Sequence, residues 1–163
     1  MIDLNNIKTQ IKSLLDAANT ITASTDLSGN MSTRIQKVLT VHPQKVPPQA
    51  SFYPYVTSFI ENKDISQDTM AISLAKGKRF AKVTVSIVSA CFHSPITSNL
   101  DDPTEKDINY VMESIEQILR DDTTLNGACK WHLPQKVDYF DVFKGDAPFL
   151  KYGELKIIAN IQY

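Results

Sequence analysis

The chain has 163 residues, of which 42% are hydrophobic and 21% are charged, with a formal net charge of −1. This composition predicts one ordinary globular domain over residues 1–163 and argues against a general binder of nucleic acid or anionic membranes, which would be basic. The only two cysteines, Cys91 and Cys129, lie in apolar stretches, which favours a reducing cytoplasm over a disulfide framework.

The first segment is predicted to be an amphipathic helix over residues 3–18. Apolar residues recur there at helical spacing: Leu4, Ile7, Ile11, Leu14, Leu15 and Ala18. The residues around its start place an acid and amides before any base, unlike a signal peptide. No apolar run approaches the ~20 residues that span a bilayer, so we expect no membrane partner.

Two strands are predicted next. Residues 20–32 are rich in turn-forming side chains. Residues 34–41 alternate weakly and indicate a strand that ends before the prolines at 43, 47 and 48, because proline cannot donate to a sheet ladder. Residues 52–60 are aromatic and β-branched and indicate a second strand, in which Pro54 favours an edge or a bulge.

Residues 61–79 are predicted to be an extended excursion between two strands, longer than an ordinary hairpin connection. Alternation at Met70, Ile72 and Leu74 favours a strand within it that pairs with Phe80 onward through a turn at Gly77. A long strand follows over residues 81–92, with its apolar positions two residues apart.

The second helix is predicted over residues 102–120. Asp102 is a suitable N-cap, Pro103 suits the first helical position, and Glu105 completes a capping-box spacing. The acidic residues Asp107, Glu113 and Glu116 lie off its apolar stripe and are expected on a solvated face.

Two strands complete the chain, at about residues 128–142 and 150–163. The last alternates strictly, with Leu155, Ile157, Ala159, Ile161 and Tyr163 on one face. Strands grouped between helices indicate an α+β fold rather than βαβ repeats. We therefore expect a mainly antiparallel sheet packed by two helices, in the order α-β-β-β(β)-α-β-β.

Residues with catalytic or metal-binding chemistry are few. Cys91, His93, Cys129 and His132 are the ligand types of a zinc site, but their spacing does not match its usual forms. Core cysteines with surface histidines are the favoured interpretation. Ser94 adjoins His93, but neighbours on a strand point to opposite faces. No nucleophile elbow or glycine-rich phosphate loop occurs, so we expect neither an enzyme nor a cofactor.

Two groups of residues are candidates for an interface. Lys76, Lys78 and Arg79 form a basic cluster around Gly77 that could contact phosphates or an acidic partner, although charged turns are common. Tyr53 and Tyr55 lie in the aromatic strand, where they are either core and ordinary surface residues or an inter-subunit contact, since aromatic residues are enriched at interfaces.

The order of elements resembles the tail terminator (tail completion) proteins of long-tailed bacteriophages. The likeness is carried by the opening helix, the aromatic strand at residues 51–56 after a proline-rich loop, the strand at 81–92, the helix at 102–120 and the strand at 155–163. It covers most of the chain and is one of pattern, without an invariant motif. The excursion at 61–79 is longer than in a minimal member of that family.

The resemblance implies a homo-hexameric ring in the virion, at the head–tail junction, assembled in the host cytoplasm. Such a ring caps the tail tube, stops its polymerisation and contacts a head connector or neck protein, while DNA passes through the lumen without sequence-specific binding. A near-neutral chain is compatible with sliding DNA. The alternatives are a tail tube or neck subunit, and a monomeric module that binds a small molecule or peptide between helix and sheet.

Overall fold

The computed structural model describes residues 3–22, 35–47, 52–66, 80–92, 103–141 and 150–162. Its helices are α1 (Leu4–Thr22) and α2 (Pro103–Asp121). Its strands are β1 (Lys37–Leu39), β2 (Tyr55–Ser66), β3 (Phe80–Phe92), β4 (Trp131–Asp141) and β5 (Leu150–Gln162). A short 3-10 turn at Pro43–Lys45 follows β1.

The two helices form where capping and apolar spacing favour them. Asp3 Oδ1 accepts hydrogen bonds from the backbone N–H groups of Asn5 at 3.0 Å and Asn6 at 3.3 Å, which caps the start of α1. Both helices bury one apolar stripe in a common core, as predicted for an amphipathic helix. The buried residues are Ile7, Ile11 and Leu15 of α1 and Ile108, Val111, Met112, Ile115 and Leu119 of α2.

All five strands form one sheet in the order β1-β2-β3-β5-β4. β1 is parallel to β2, and the other neighbours are antiparallel. The predicted fold class, α+β with a mainly antiparallel sheet packed by two helices, is confirmed. The C-terminal strand β5 is paired on both edges, by β3 and β4, which places the end of the described chain inside the sheet.

The sheet has two different faces. We call the face that packs on α1 and α2 the helix face; it carries Val83, Val85 and Ile87 of β3 and their cross-strand partners. The alternate positions, such as Thr84, Ser86 and their partners, form the face that we call the open face. The described helices leave the open face uncovered, because their apolar stripes lie in the core on the opposite side.

Two strands carry a bulge near their midpoints. In β2, Ile60 pairs with Val85 and Asn62 with Thr84, so Glu61 is an extra residue relative to β3. In β4, Pro134 pairs with Ile157 and Lys136 with Lys156 of β5, so Gln135 is the extra residue. Beyond each bulge, the alternation of side chains between the two faces of the sheet is shifted by one residue.

Gly153 allows α2 to lie close to β5. A Cβ atom at this position would lie 2.5 Å from Met112 Cγ and 2.8 Å from Met112 Sδ, far inside contact distance. Met112 is fully buried and has little room to move. The glycine therefore sets the distance between helix and sheet.

Several predicted boundaries are wrong. α1 continues to Thr22, into the segment predicted as turns, because the anchored helix tolerates weak helix formers in its last turn. The predicted strand at 34–41 is limited to Lys37–Leu39. The strand predicted at 52–60 begins after Pro54, at Tyr55, and continues to Ser66.

The predicted excursion at 61–79 also starts too early, since Glu61–Ser66 belongs to β2. The polar side chains of that stretch are accommodated because the segment lies at the edge of the sheet. The segment predicted to pair with Met70, Ile72 and Leu74, from Phe80 onward, is β3, which is paired by β2 on one edge and by β5 on the other. Residues 67–79 themselves lie outside the described residues, as does the N-cap candidate Asp102.

One side chain of α2 differs from its predicted environment. Asp107 was expected on the solvated face, but it is buried. It lies close enough to Cys91 that its charge, after burial, helps to raise the pKa of that thiol. This off-stripe position is therefore close to β3, whereas Glu105 in the first turn of α2 is exposed.

Candidate functional site

Exposed large apolar side chains are concentrated on β4, which lies at one end of the strand order. Trp131, Leu133 and Phe140 project from its open face, and Tyr139 from its helix face. Their exposed fractions are 49%, 51%, 47% and 50%, respectively. Such a group of apolar side chains beside an unpaired strand edge is typical of a contact surface.

The turn between α2 and β4 fixes the start of this strand. The Asp122 carboxylate accepts hydrogen bonds from the backbone N–H groups of Asn126 at 2.7 Å and Thr124 at 3.0 Å. These bonds, that from Asn126 first, lower the pKa of the Asp122 carboxyl. Leu125, Asn126 and Gly127 all have positive φ, at 50°, 52° and 80°, and Leu125 is fully buried as an anchor.

Backbone hydrogen bonds then fix the start of β4 relative to this turn and to β5. The Lys130 N–H donates to the Asn160 carbonyl at 2.8 Å, and the His132 N–H donates to the Thr123 carbonyl at 2.9 Å. Trp131, between them, is held opposite Asn160 of β5. The exposed indole is therefore presented by a fixed backbone.

A polar network occupies the middle of the open face. Ser86 Oγ lies 2.7 Å from Glu61 Oε1 and 2.6 Å from Glu154 Oε1, and Lys156 Nζ lies 2.7 Å from Glu61 Oε1. The hydrogen bond from Lys156 is the main cause that lowers the pKa of Glu61, and the same bond raises the pKa of Lys156. Ser86 is fully buried beneath these groups. The network ties β2, β3 and β5 together and leaves its hydroxyl inaccessible to a substrate.

The two predicted tyrosines lie at the end of the open face where β2 begins. Their ring centroids are 5.4 Å apart, and Tyr152 of β5 lies beside both. Ala90, between Tyr55 and Tyr152 in the sheet, is small enough to leave room for both rings. Tyr55 is only 2% exposed. Burial first, and then Tyr152, raises the pKa of Tyr53 to about 12. Tyr55 is thus buried within one copy of the chain, whereas Tyr53 and Tyr152 are half-buried.

The three basic candidates, Lys76, Lys78 and Arg79, lie outside the described residues. The strands that flank them are described: Ser66 at the end of β2 pairs with Phe80 at the start of β3. The structure therefore gives the two strand ends that this connection joins.

Both cysteines are buried, as predicted, whereas the expectation of surface histidines is wrong for His132. Its Nε2 lies 2.9 Å from the Asp122 carbonyl oxygen, and since a carbonyl only accepts, Nε2 carries the proton. Cys129 Sγ donates to the Thr124 carbonyl at 3.3 Å, and burial raises the pKa of its thiol to about 11. Within the described ranges, no three His, Cys, Asp or Glu side chains are grouped so that they could hold a metal ion. His93 lies outside those ranges.

The apolar surface of β4 was not singled out from the sequence. The available signal was the alternation of Trp131 and Leu133 with His132, followed by Pro134 within a strand. Proline in a strand indicates an edge, and large apolar residues on an edge indicate a contact. That signal was masked because the same alternation also fits a half-buried interior strand.

Comparisons with models of protein families and with curated proteins find no match to this sequence. Among the described helices, neither is long and apolar enough to cross a membrane.

Proposed function

We propose that the protein is a structural subunit that assembles with copies of itself, head to tail, into a closed ring. The observation that carries this proposal is the edge strand β4, with four large side chains that are each about half exposed. Natural proteins usually protect such an edge with charged side chains or a covering segment. In the described part of the chain β4 has a strand partner on one side only, and in our proposal a second copy of the chain covers the other side.

A head-to-tail contact uses two different surfaces of the same subunit, so rotation closes it into a ring. The sheet has different strands at its two ends, β1 with β2 at one and β4 at the other, as this contact requires. A twofold contact of β4 with itself would stop at a dimer. The availability of two unlike edges supports the ring.

We further propose that the ring is the tail terminator of a long-tailed bacteriophage, a homo-hexamer at the head–tail junction of the virion. The support is the sequence resemblance together with the α+β architecture, in which the predicted order of helices and strands is present. In this role the ring caps the tail tube, contacts the tube protein on one side and the head connector on the other, and lets DNA pass. No catalysis is required of the chain.

The test is light scattering and negative-stain microscopy of the purified protein, followed by mixing with polymerising tail tube protein. We expect six-fold rings that do not grow, and tubes that stop when the rings are added. Growth of the protein into long cylinders would instead identify a tube subunit. A monomer at every concentration would refute the ring and favour a binding module.

A further inference from the structure

The end of the sheet opposite β4 also offers an edge. β1 pairs with β2 only from Tyr55 to Thr57, so β2 has no strand beside its outer edge beyond Thr57 in the described chain. After β1 the chain passes onto the open face, where the Val41 carbonyl accepts a hydrogen bond from Thr57 Oγ1 and the His42 ring lies 4.7 Å from the Phe59 ring. Unpaired N–H and C=O groups on such an edge can bind another strand.

The direction of pairing follows from the strand order. β2 and β5 run the same way, and β4 runs opposite to both. In a ring whose subunits are related by rotation about an axis along the strands, every copy keeps its strand directions. The β4 edge of one copy therefore meets the β2 edge of the next in antiparallel orientation.

The two bulges select one register for this pairing. Open-face residues must lie opposite open-face residues throughout, and each bulge shifts the alternation at its own position. Before and after the bulges, open-face residues of one strand lie opposite open-face residues of the other only if the bulges at Glu61 and Gln135 face each other. Ile60 then pairs with Val137, Glu61 with Lys136 and Asp64 with Leu133; the faces follow from the pairings of β2 and β4 within one copy.

The same register is favoured by charge. It places Glu61 opposite Lys136 of the neighbouring copy, and both residues are exposed. Within one copy Glu61 contacts Lys156 at 2.7 Å and Lys136 pairs with Asp138 at 2.9 Å, so the contact gives each of the two charges a second partner of opposite sign. A shift of two residues in one direction would place Glu61 opposite Asp138, which repels it. A shift of two in the other would place it opposite Pro134, without a charge.

We propose that the outer edge of β4 pairs with residues 58–66 of the neighbouring copy's β2, antiparallel and with the two bulges opposite each other. This inference rests on the ring proposed above and identifies its subunit contact. The pairing ends at Tyr139, because β1 occupies the rest of the β2 edge.

Cysteine pairs test the register with matched controls. Glu61→Cys with Lys136→Cys and Asp64→Cys with Leu133→Cys are in register, where Cα atoms of facing residues lie ~4.5–5.5 Å apart and can form a disulfide. Exchanging the partners gives Glu61→Cys with Leu133→Cys and Asp64→Cys with Lys136→Cys. The exchanged pairs use the same four substitutions as the in-register pairs, but the two residues of each exchanged pair are three residues, or ~10 Å, out of register.

After mild oxidation, we expect the in-register proteins to give a ladder of cross-linked oligomers on a non-reducing gel, and the exchanged pairs to lose it. If light scattering shows rings but the in-register pairs give no ladder, the proposed contact is wrong and the ring proposal stands. The same holds if the exchanged pairs give the stronger ladder. Cross-linked dimers alone would also overturn the contact, since head-to-tail contacts continue beyond two. Monomers throughout would refute the ring itself.

Deletion of the bulge residues provides a second test. Removing Gln135 leaves the pairs between β4 and β5 in a regular ladder, but it leaves one bulge unmatched between subunits. We expect the circular dichroism of the fold to persist while rings are lost. Removing Glu61 as well makes both edges regular and should restore rings. Rings that survive the single deletion, or that fail to return in a folded double deletion, would contradict the bulge match.

Discussion

Substitution of Trp131 tests the exposed surface of β4 most directly. A tryptophan side chain buries up to ~250 Å², so an exposed fraction of 49% leaves about 120 Å² available to a partner. Complete burial of that area is worth ~3 kcal/mol at ~25 cal/mol per Å². This is an upper value, and burial of half the area gives ~1.5 kcal/mol. Trp131→Ser should therefore weaken each subunit contact by about tenfold to a hundredfold.

The assay is sedimentation velocity over a concentration series, which gives the dissociation constant of the assembly. Gln117→Ser is the control, because Gln117 is exposed on α2 and belongs to neither of the two strands that form the proposed contact. Gln117→Ser should leave assembly unchanged. If Trp131→Ser assembles as tightly as the unsubstituted protein, or if both variants lose assembly equally, the contact does not use the β4 edge.

Two further outcomes concern the fold that presents this edge. Gly153→Ala brings a Cβ atom to 2.5 Å from Met112 Cγ and should lower the free energy of unfolding in urea by ~1–3 kcal/mol; combined with Met112→Ala it should cost less than the sum of the two single changes, and additivity would contradict the close contact. Asp122→Ala should cost ~1–2 kcal/mol at pH 7. Because hydrogen bonds lower the pKa of Asp122, its contribution is present above the unfolded pKa of ~3.9 and is lost as pH falls through the folded value. The difference in unfolding free energy from the unsubstituted protein should therefore shrink below pH 4; a constant difference would show that the carboxylate charge does not matter.

The elements with a strong period could be predicted from the sequence. The stripe of α2 and the alternation of β5 follow from residues that face one core, and both are present. The start of α1 was predicted to within one residue from the spacing of its apolar residues, although its cap at Asp3 was not singled out. Local pattern sufficed for these elements because each buries a continuous apolar surface.

Features that depend on a neighbouring strand could not be predicted. The pattern of residues 61–66 is polar and typical of a loop. In the described part of the chain this segment of β2 has a strand partner on one side only, and such an edge segment needs few apolar residues. The bulges at Glu61 and Gln135 exist only relative to β3 and β5. The buried environment of Asp107 likewise comes from the sheet that covers it. Pairing and register are tertiary properties, and the candidate contact surface is made of them.

The bulges also explain how an exposed apolar edge can be compatible with a defined assembly. An apolar edge strand invites pairing with any extended segment, and proline and bulges are devices that oppose this. β4 has both, at Pro134 and Gln135, beside its exposed aromatic residues. A regular strand cannot match the faces of a bulged one along its whole length, so unspecific partners are penalised. In our proposal the bulge at Glu61 of the neighbouring copy lies opposite the bulge at Gln135, so the faces of the two strands match along the whole contact. The feature that protects the edge from aggregation is then the same feature that selects the neighbouring copy.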